Sequence, residues 1–348
     1  MKRAALAALR LLIALGLLLP ALSCTRQEER LYKKSAVLMY TRVTITVAEK
    51  SPEKAEAAMD AAFEEIKRLE DLLSFWTSDS EIAAINRNAG IGPVKVSPET
   101  LEIIRESLFI SEKTAGAFDP TIGPVIRLWD FRNETVPEAS TLRETVGQVD
   151  YREMKVDTAA STAFLARKGM SFDTGGIAKG YAADRAVEVL KSAGIKSGLV
   201  AVAGDIRAFG SRPGGEPWRI GIRDPRPQDE DGYLMATIEL RDEAVSTSGD
   251  YERFFIKDGV RYHHLLDPRT GYPAEGCRSV TVIAPKAVYT DGFSTGVFVL
   301  GPQKGLRLLE EMGLEGIIVD SQGKTHATQG LKGRLNWTGG REDAVAGQ

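Results

Sequence analysis

The chain has 348 residues, 43% of them hydrophobic and 27% charged, with a formal net charge of −3. That is enough apolar material for one large domain or two smaller ones. Near-zero charge with scattered basic residues argues against nucleic acid as the main partner, because binders of the phosphate backbone carry a basic surplus.

In chain order, Met1-Lys2-Arg3 gives a positive start and 4-AALAALRLLIALGLLLPALSC-24 is almost wholly apolar, the pattern of a secretory signal. Ala21, Leu22 and Ser23 before Cys24 resemble a bacterial lipobox, so residues 1–23 are expected to be removed and Cys24 to be lipidated. Pro20 and Ser23 interrupt a stretch already marginal for a membrane span. Acyl chains on Cys24 would anchor an exported protein to a bacterial membrane, expected to be the inner one on its periplasmic face. With Cys24 lipidated, Cys277 is the one remaining thiol, so no intrachain disulfide can form.

Residues 25–36 are polar and read as a tether. The alternation in 42-RVTITVA-48 predicts a strand. Ser51-Pro52 is an N-cap followed by proline at the first helical position, and Ala55, Met59, Ala62, Phe63, Ile66, Leu69 and Leu73 fall on one face of the helix it opens. Ser97-Pro98 repeats that signal for a helix to about Thr114. Strand-like runs follow at 198–204, 217–223, 234–240 and 279–285, and a last helix runs from Pro302 to Gly313 before a return strand at 316–320. Consecutive strands among helices predict an α+β class, with mixed, largely antiparallel sheets flanked by helices. One domain over 37–335, with room for two subdomains, is expected to end in a mobile tail at 336–348, and 225-PRPQDEDG-232 reads as a solvated loop.

Four stretches, 118–131, 172–194, 203–210 and 245–296, are richer in Gly, Asp and turn residues than folding alone needs, and three places within them carry candidate chemistry. In 172-FDTGGIAKGYAADRAVEVLKSAG-194, Gly175 and Gly176 permit close backbone approach at a helix start where N–H groups and Lys179 could face an anion. Gly180 after the lysine rules out a Walker A loop. A tight turn with a surface lysine stays open as the alternative. In 289-YTDGFSTG-296, Asp291 and Thr295 are four apart and share a helical face, suiting either a hard cation such as Mg²⁺ or a purely structural pair. His263 and His264 precede 267-DPRTG-271, and His264 is a candidate general base or a structural histidine.

Together, 118-FDPTIGP-124, 129-WDF-131, 173-DTGGIAKGYAAD-184, 204-GDI-206, 246-STSGDY-251, 263-HHLLDPRTGYP-273 and 290-TDGFSTG-296 closely resemble the ApbE family of FAD:protein FMN transferases, over roughly Val37 to Asp320. The resemblance implies an exported, often lipid-anchored enzyme that splits FAD and passes FMN to a Ser or Thr hydroxyl of a flavoprotein. Such acceptors are flavosubunits of membrane redox pumps or exported electron-transfer flavoproteins. It implies Mg²⁺ held by Asp291, Thr295 and the Ala178 carbonyl, Lys179 toward the pyrophosphate and His264 as base. Asp119, Thr121, Asp173 and Asp205 would line the FAD pocket, with Met39 near the flavin or adenine and Trp76 where tyrosine is usual. Tyr40 stands where the family has glycine, so its φ must be negative or strained; Thr174 and Ala203 also depart from the pattern. Two alternatives share these residues: an FAD pyrophosphatase, and a non-catalytic flavin-binding lipoprotein.

Overall fold

In the computed structural model, residues 28–226 and 234–338 are described. The signal-like stretch, Cys24, most of the 225–232 loop and the tail beyond Thr338 lie outside them. In chain order the elements begin with β1 (Arg30–Leu38), β2 (Thr41–Glu49), α1 (Pro52–Leu73), α2 (Glu81–Arg87), β3 (Val94–Lys95), α3 (Pro98–Lys113), α4 (Gly123–Ile126) and α5 (Ala139–Val146). Then come β4 (Met154–Asp157), β5 (Thr162–Leu165), α6 (Ala178–Ser192), β6 (Ser197–Val202), β7 (Asp205–Phe209), β8 (Trp218–Arg223), β9 (Leu234–Leu240) and β10 (Ala244–Gly249). The chain continues through β11 (Phe254–Lys257), β12 (Val260–His263), β13 (Cys277–Ala284), α7 (Ala287–Leu300), α8 (Pro302–Glu311), β14 (Glu315–Asp320), β15 (Thr325–Ala327) and β16 (Leu335–Trp337).

The central sheet has the order β1-β2-β6-β7-β10-β13-β14-β15, with each neighbouring pair antiparallel. This is the expected α+β class. Alternation sends the two faces of the sheet into different cores. Val43, Ile45, Val47, Val200, Val280 and Val282 face α1, α6 and α7, while Val245, Ile283, Ile317 and Val319 pack on Trp218, Ile220 and Ile238 of the small β16-β9-β8 sheet. A third cluster of Val125, Trp129, Leu142, Phe255 and Leu266 ties the β11-β12 hairpin to α4 and α5.

The helix starts behave as read. Ser51 Oγ accepts from Lys54 N–H and Ser97 Oγ from Thr100 N–H, each a cap worth about 1 kcal/mol. All seven residues expected on the inner face of α1 are buried. The tether expectation needs correcting, because residues 30–36 are strand. β1 pairs with β2 along its length, from Arg30 opposite Glu49 to Leu38 opposite Thr41. Lysines at 33 and 34 mask the pattern, as is common on an edge strand, while Tyr32, Ala36 and Leu38 rest half-buried on the core. The tail also starts later than expected, since Asn336 and Trp337 pair with β9.

The β1-β2 turn is the two residues Met39 and Tyr40, at φ 52° and 58°. Both central residues at positive φ is the type I′ hairpin geometry, which glycine or asparagine normally supplies. Tyr40 thus takes the strained option, at about 1 kcal/mol, with its side chain 73% exposed. Tyr40→Gly is expected to stabilise the protein by about 0.5–1 kcal/mol and raise Tm by about 1–3 °C, measurable by thermal unfolding. A lower Tm would mean that the ring makes a contact the fold needs.

Candidate active site

Helices α6 and α7 cross where Gly180 stands. A Cβ there would overlap the Ala287 carbonyl and lie 2.8 Å from Asp291 Cβ. The residue that disqualifies a Walker loop is therefore the one that lets the helices touch. One turn later, Asp184 caps α7 by accepting from Ala287 and Val288 N–H, both at 2.9 Å. Gly180→Ala is expected to cost about 1–3 kcal/mol, the range for overpacked cores, seen as a lower urea midpoint with unchanged m.

This crossing delivers Asp291 to the start of α6. Its Oδ2 accepts from Gly180 N–H at 2.9 Å. The Lys179 ammonium bridges two carboxylates, donating to Asp205 Oδ2 at 2.7 Å and to the Asp291 oxygens at 3.2 and 3.4 Å. Burial opposes the charge on Lys179, but Asp205 and Asp291 outweigh it and raise its pKa. Burial and repulsion from Asp205 raise that of Asp291, against the pull of Lys179 and Gly180 N–H. Thr295, one turn further along α7, meets Ser248 Oγ of β10 at 3.3 Å, and Gly176 lies against it. Gly176 and Gly180 bracket Ala178, so the expected trio of Asp291, Thr295 and Ala178 is assembled in one place. Among the described residues no three His, Cys, Asp or Glu side chains form a metal cage. One carboxylate, one hydroxyl and a backbone carbonyl instead form an all-oxygen set suited to a hard cation that keeps water or phosphate ligands.

The helix start differs from the reading of an open anion cradle. Gly175 N–H donates to Asp173 Oδ2, Ile177 and Ala178 N–H to the Thr174 carbonyl, and Gly180 N–H to Asp291. These donors serve the fold, and Lys179, expected toward a pyrophosphate, is paired with Asp205 and Asp291. What stays open to a ligand is the exposed backbone at Gly175 and the charge of Lys179.

Asp173 is raised to about 6 by burial, against Gly175 N–H, Arg253 and Arg127. Asp119 and Thr121 lie behind it as a brace. The Asp119 carboxylate accepts from Thr121 N–H, Thr121 Oγ and Tyr151 N–H, and the Pro120 carbonyl between them accepts from Asp173 N–H at 2.7 Å. Thr174 turns its hydroxyl inward to the Leu73 carbonyl at 2.8 Å, which absorbs that departure from the family pattern. Met39 sits in the turn beside Ala203-Gly204, where Ala203 N–H donates to the Arg42 carbonyl at 3.1 Å, just before Asp205. Trp76 is 59% exposed on the other flank, edge-on to Phe75, with the Arg127 guanidinium 4.2 Å from the Phe75 ring centre.

His264 follows the β11-β12 hairpin. Its Nδ1–H donates to the Arg253 carbonyl at 3.3 Å, which leaves Nε2 with the free lone pair. Burial, with Arg253, His263 and Lys179 adding repulsion, pushes its pKa down to about 3, so the ring is neutral at physiological pH. His263 is structural, buried with Nε2–H donating to the Ala274 carbonyl at 3.1 Å. Sequence reasoning missed Arg253, which orients His264 through its carbonyl and acts on Asp173 through its charge. It stands two residues past the 246–251 motif and carries no local signature. Ser248, within that motif, meets Thr295 across 47 residues of sequence, a contact no local pattern reveals.

The model of the ApbE family matches residues 39–318. The chain belongs to the ApbE family. It is 35% identical over 328 residues to the FAD:protein FMN transferase of Treponema pallidum (strain Nichols), covering 89% of this chain and 90% of that protein. The enzyme of the same name from Klebsiella pneumoniae (strain 342) is 34% identical over 287 residues, covering 82% and 87%. Among solved structures, the ApbE protein of Thermotoga maritima superposes with a TM-score of 0.82 at 36% identity, over 88% of this chain and 99% of that one. The flavin transferase ApbE from Vibrio cholerae gives 0.79 at 29% identity, over 88% and 100%. The ApbE match takes in every site residue from Met39 to Thr295.

Proposed function

We propose that this protein transfers FMN from FAD to a Ser or Thr hydroxyl of an acceptor flavoprotein, releasing AMP. The observation that carries the reading is the convergence of Asp291, Thr295 and the Ala178 segment with Lys179, beside a neutral His264. In the transfer, the acceptor oxygen forms a bond to the FMN-side phosphorus and the bond from that phosphorus to the AMP oxygen breaks, its electron pair leaving with AMP. His264 Nε2 takes the hydroxyl proton. Lys179 offers positive charge to the pyrophosphate oxygens, held in place by Asp205.

Asp291, Thr295 and the Ala178 carbonyl would hold Mg²⁺, and their all-oxygen chemistry fits it. The ion, when bound, would neutralise charge on the phosphate oxygens and the departing AMP. The acceptor class is a flavosubunit of a membrane redox pump or an exported electron-transfer flavoprotein. Cys24, by its lipobox-like context, would anchor the enzyme to the periplasmic face of the inner membrane. Palmitate labelling lost in Cys24→Ser tests the anchor.

The test of the activity incubates the soluble form beginning at Thr25 with FAD, Mg²⁺ and a flavosubunit domain bearing an acceptor threonine. Intact mass of the acceptor rises by one FMN residue while AMP appears in equal amount. AMP and free FMN without an adduct would replace the transferase by a pyrophosphatase, and intact FAD would leave a flavin carrier.

A further inference from the structure

A groove of about 860 Å³ runs away from the active site along the outside of α2, past the end of α5 and the 168–171 segment. It meets the site at two places. Phe75 and Trp76 form one end of its wall, and Ser171 leads in two residues to Asp173. Asn86 fixes that junction by donating to the Phe172 carbonyl at 2.9 Å and accepting from Phe172 N–H at 2.7 Å. The floor is therefore tied to the segment that carries Asp173.

The lining has a one-sided charge. Arg87, Arg127 and Lys168 contribute three cations and no carboxylate lines the groove. Arg87 donates to the Ser78 carbonyl and Arg127 lies over the Phe75 and Trp76 rings, while none of the three forms a salt bridge with a described residue. Two large apolar side chains are presented with them, Trp76 at 59% and Ile91 at 77% exposure. A surface whose guanidinium and ammonium groups form no salt bridge with a described residue, set around exposed apolar anchors, is complementary to an acidic chain segment that also carries apolar residues.

Building on the transferase reading, we infer that this groove binds the acceptor protein, as an extended acidic segment flanking the target hydroxyl. The groove ends at the wall of Trp76 and Ser171, so a segment lying in it would bring its next residues to Asp173 and His264. FAD is assigned to the α6 start, the turns at Met39 and Ala203 and the Trp76 and Asp173 end of the groove, so the cations further along it, Arg87 and Lys168, answer a second anionic partner.

The test uses two synthetic peptides of identical length with one acceptor threonine, one flanked by Asp and Glu and the other by Asn and Gln. FMN adducts are followed by intact mass and AMP by chromatography, with and without peptide. The wild type is expected to use the acidic peptide at least about tenfold better in kcat/KM, with the preference shrinking as salt is raised. Arg87→Glu with Lys168→Glu is expected to abolish that preference through a higher peptide KM, with the KM for FAD unchanged. Both side chains are exposed, so charge reversal leaves packing intact, and an unchanged Tm checks this. Equal use of the two peptides, or a preference that survives the double reversal, overturns the acceptor groove and leaves the transferase standing. A parallel rise in the KM for FAD overturns it in favour of an FAD subsite. No adduct on either peptide or on a folded flavosubunit domain overturns the transferase reading itself.

Discussion

Asp291→Asn is expected to lower FMN transfer by about 10²–10³-fold or more while leaving the fold in place. The asparagine keeps an oxygen for Gly180 N–H, so the crossing of α6 and α7 retains its hydrogen bond. What disappears is the charge. Preorganised charge at a reacting phosphate is the main catalytic resource available to such a site, and losing one such element typically costs about 3–4 kcal/mol of transition-state stabilisation. Lys179 would then answer to Asp205 alone. The variant should also lose most of its Mg²⁺ affinity, read by calorimetry apart from any turnover. Thr295→Ala removes one neutral donor and is expected to weaken the same binding by less. Full activity in Asp291→Asn, with a Tm within about 2 °C of wild type, would take the metal role away from this carboxylate.

The parts of this site that were legible in the sequence are those whose geometry is local. Asp291 and Thr295 share a face because they are one helical turn apart, and α7 is indeed continuous from Ala287 to Leu300. Ser51 and Ser97 announce their helices because a cap acts within three residues. Strand β2 shows its alternation because one face is fully buried. By contrast, β1 hides its pattern, since an edge strand needs only half-buried positions and tolerates Lys33 and Lys34. The pairing of Lys179 with Asp205 and Asp291 spans 26 and 112 residues, so no spacing rule reaches it. The same holds for Arg253. Its part depends on the hairpin that folds His264 back onto its carbonyl, and β11 and β12 are too short for their periodicity to stand out. Tyr40 is the intermediate case. The family pattern flagged it, elementary sterics allowed two outcomes, and the two-residue turn selected the strained one.

His264→Ala is expected to cut the transfer rate by about 10²-fold, at the lower end of what general bases contribute, with the KM for FAD changed less than about threefold. The modest figure follows from the environment. A ring held near pKa 3 is a weak base, and phosphoryl transfer asks little of its base before the leaving group has largely departed. The sign of the pH dependence is distinctive. The base works when neutral, and its folded pKa lies far below the ordinary histidine value, so His264 adds no acid limb near pH 6.5, and the limb that Asp173 and Asp291, both raised by burial, bring to wild-type transfer should be the same in His264→Gln. Stability carries the complementary signature. Below pH 6.5 the unfolded chain binds a proton at this position that the folded protein refuses until about pH 3, so stability falls progressively across that window. His264→Gln removes this contribution, so its Tm should drop less than that of wild type between pH 7 and pH 5. His263, also depressed by burial, keeps a residual slope in both proteins. Added imidazole should restore part of the rate in His264→Ala, as a missing proton acceptor allows and a purely structural loss does not. An acid limb near pH 6.5 that is present in wild type and absent from His264→Gln, or a variant whose KM for FAD rises as far as its rate falls, would overturn the assignment of His264 as a neutral base.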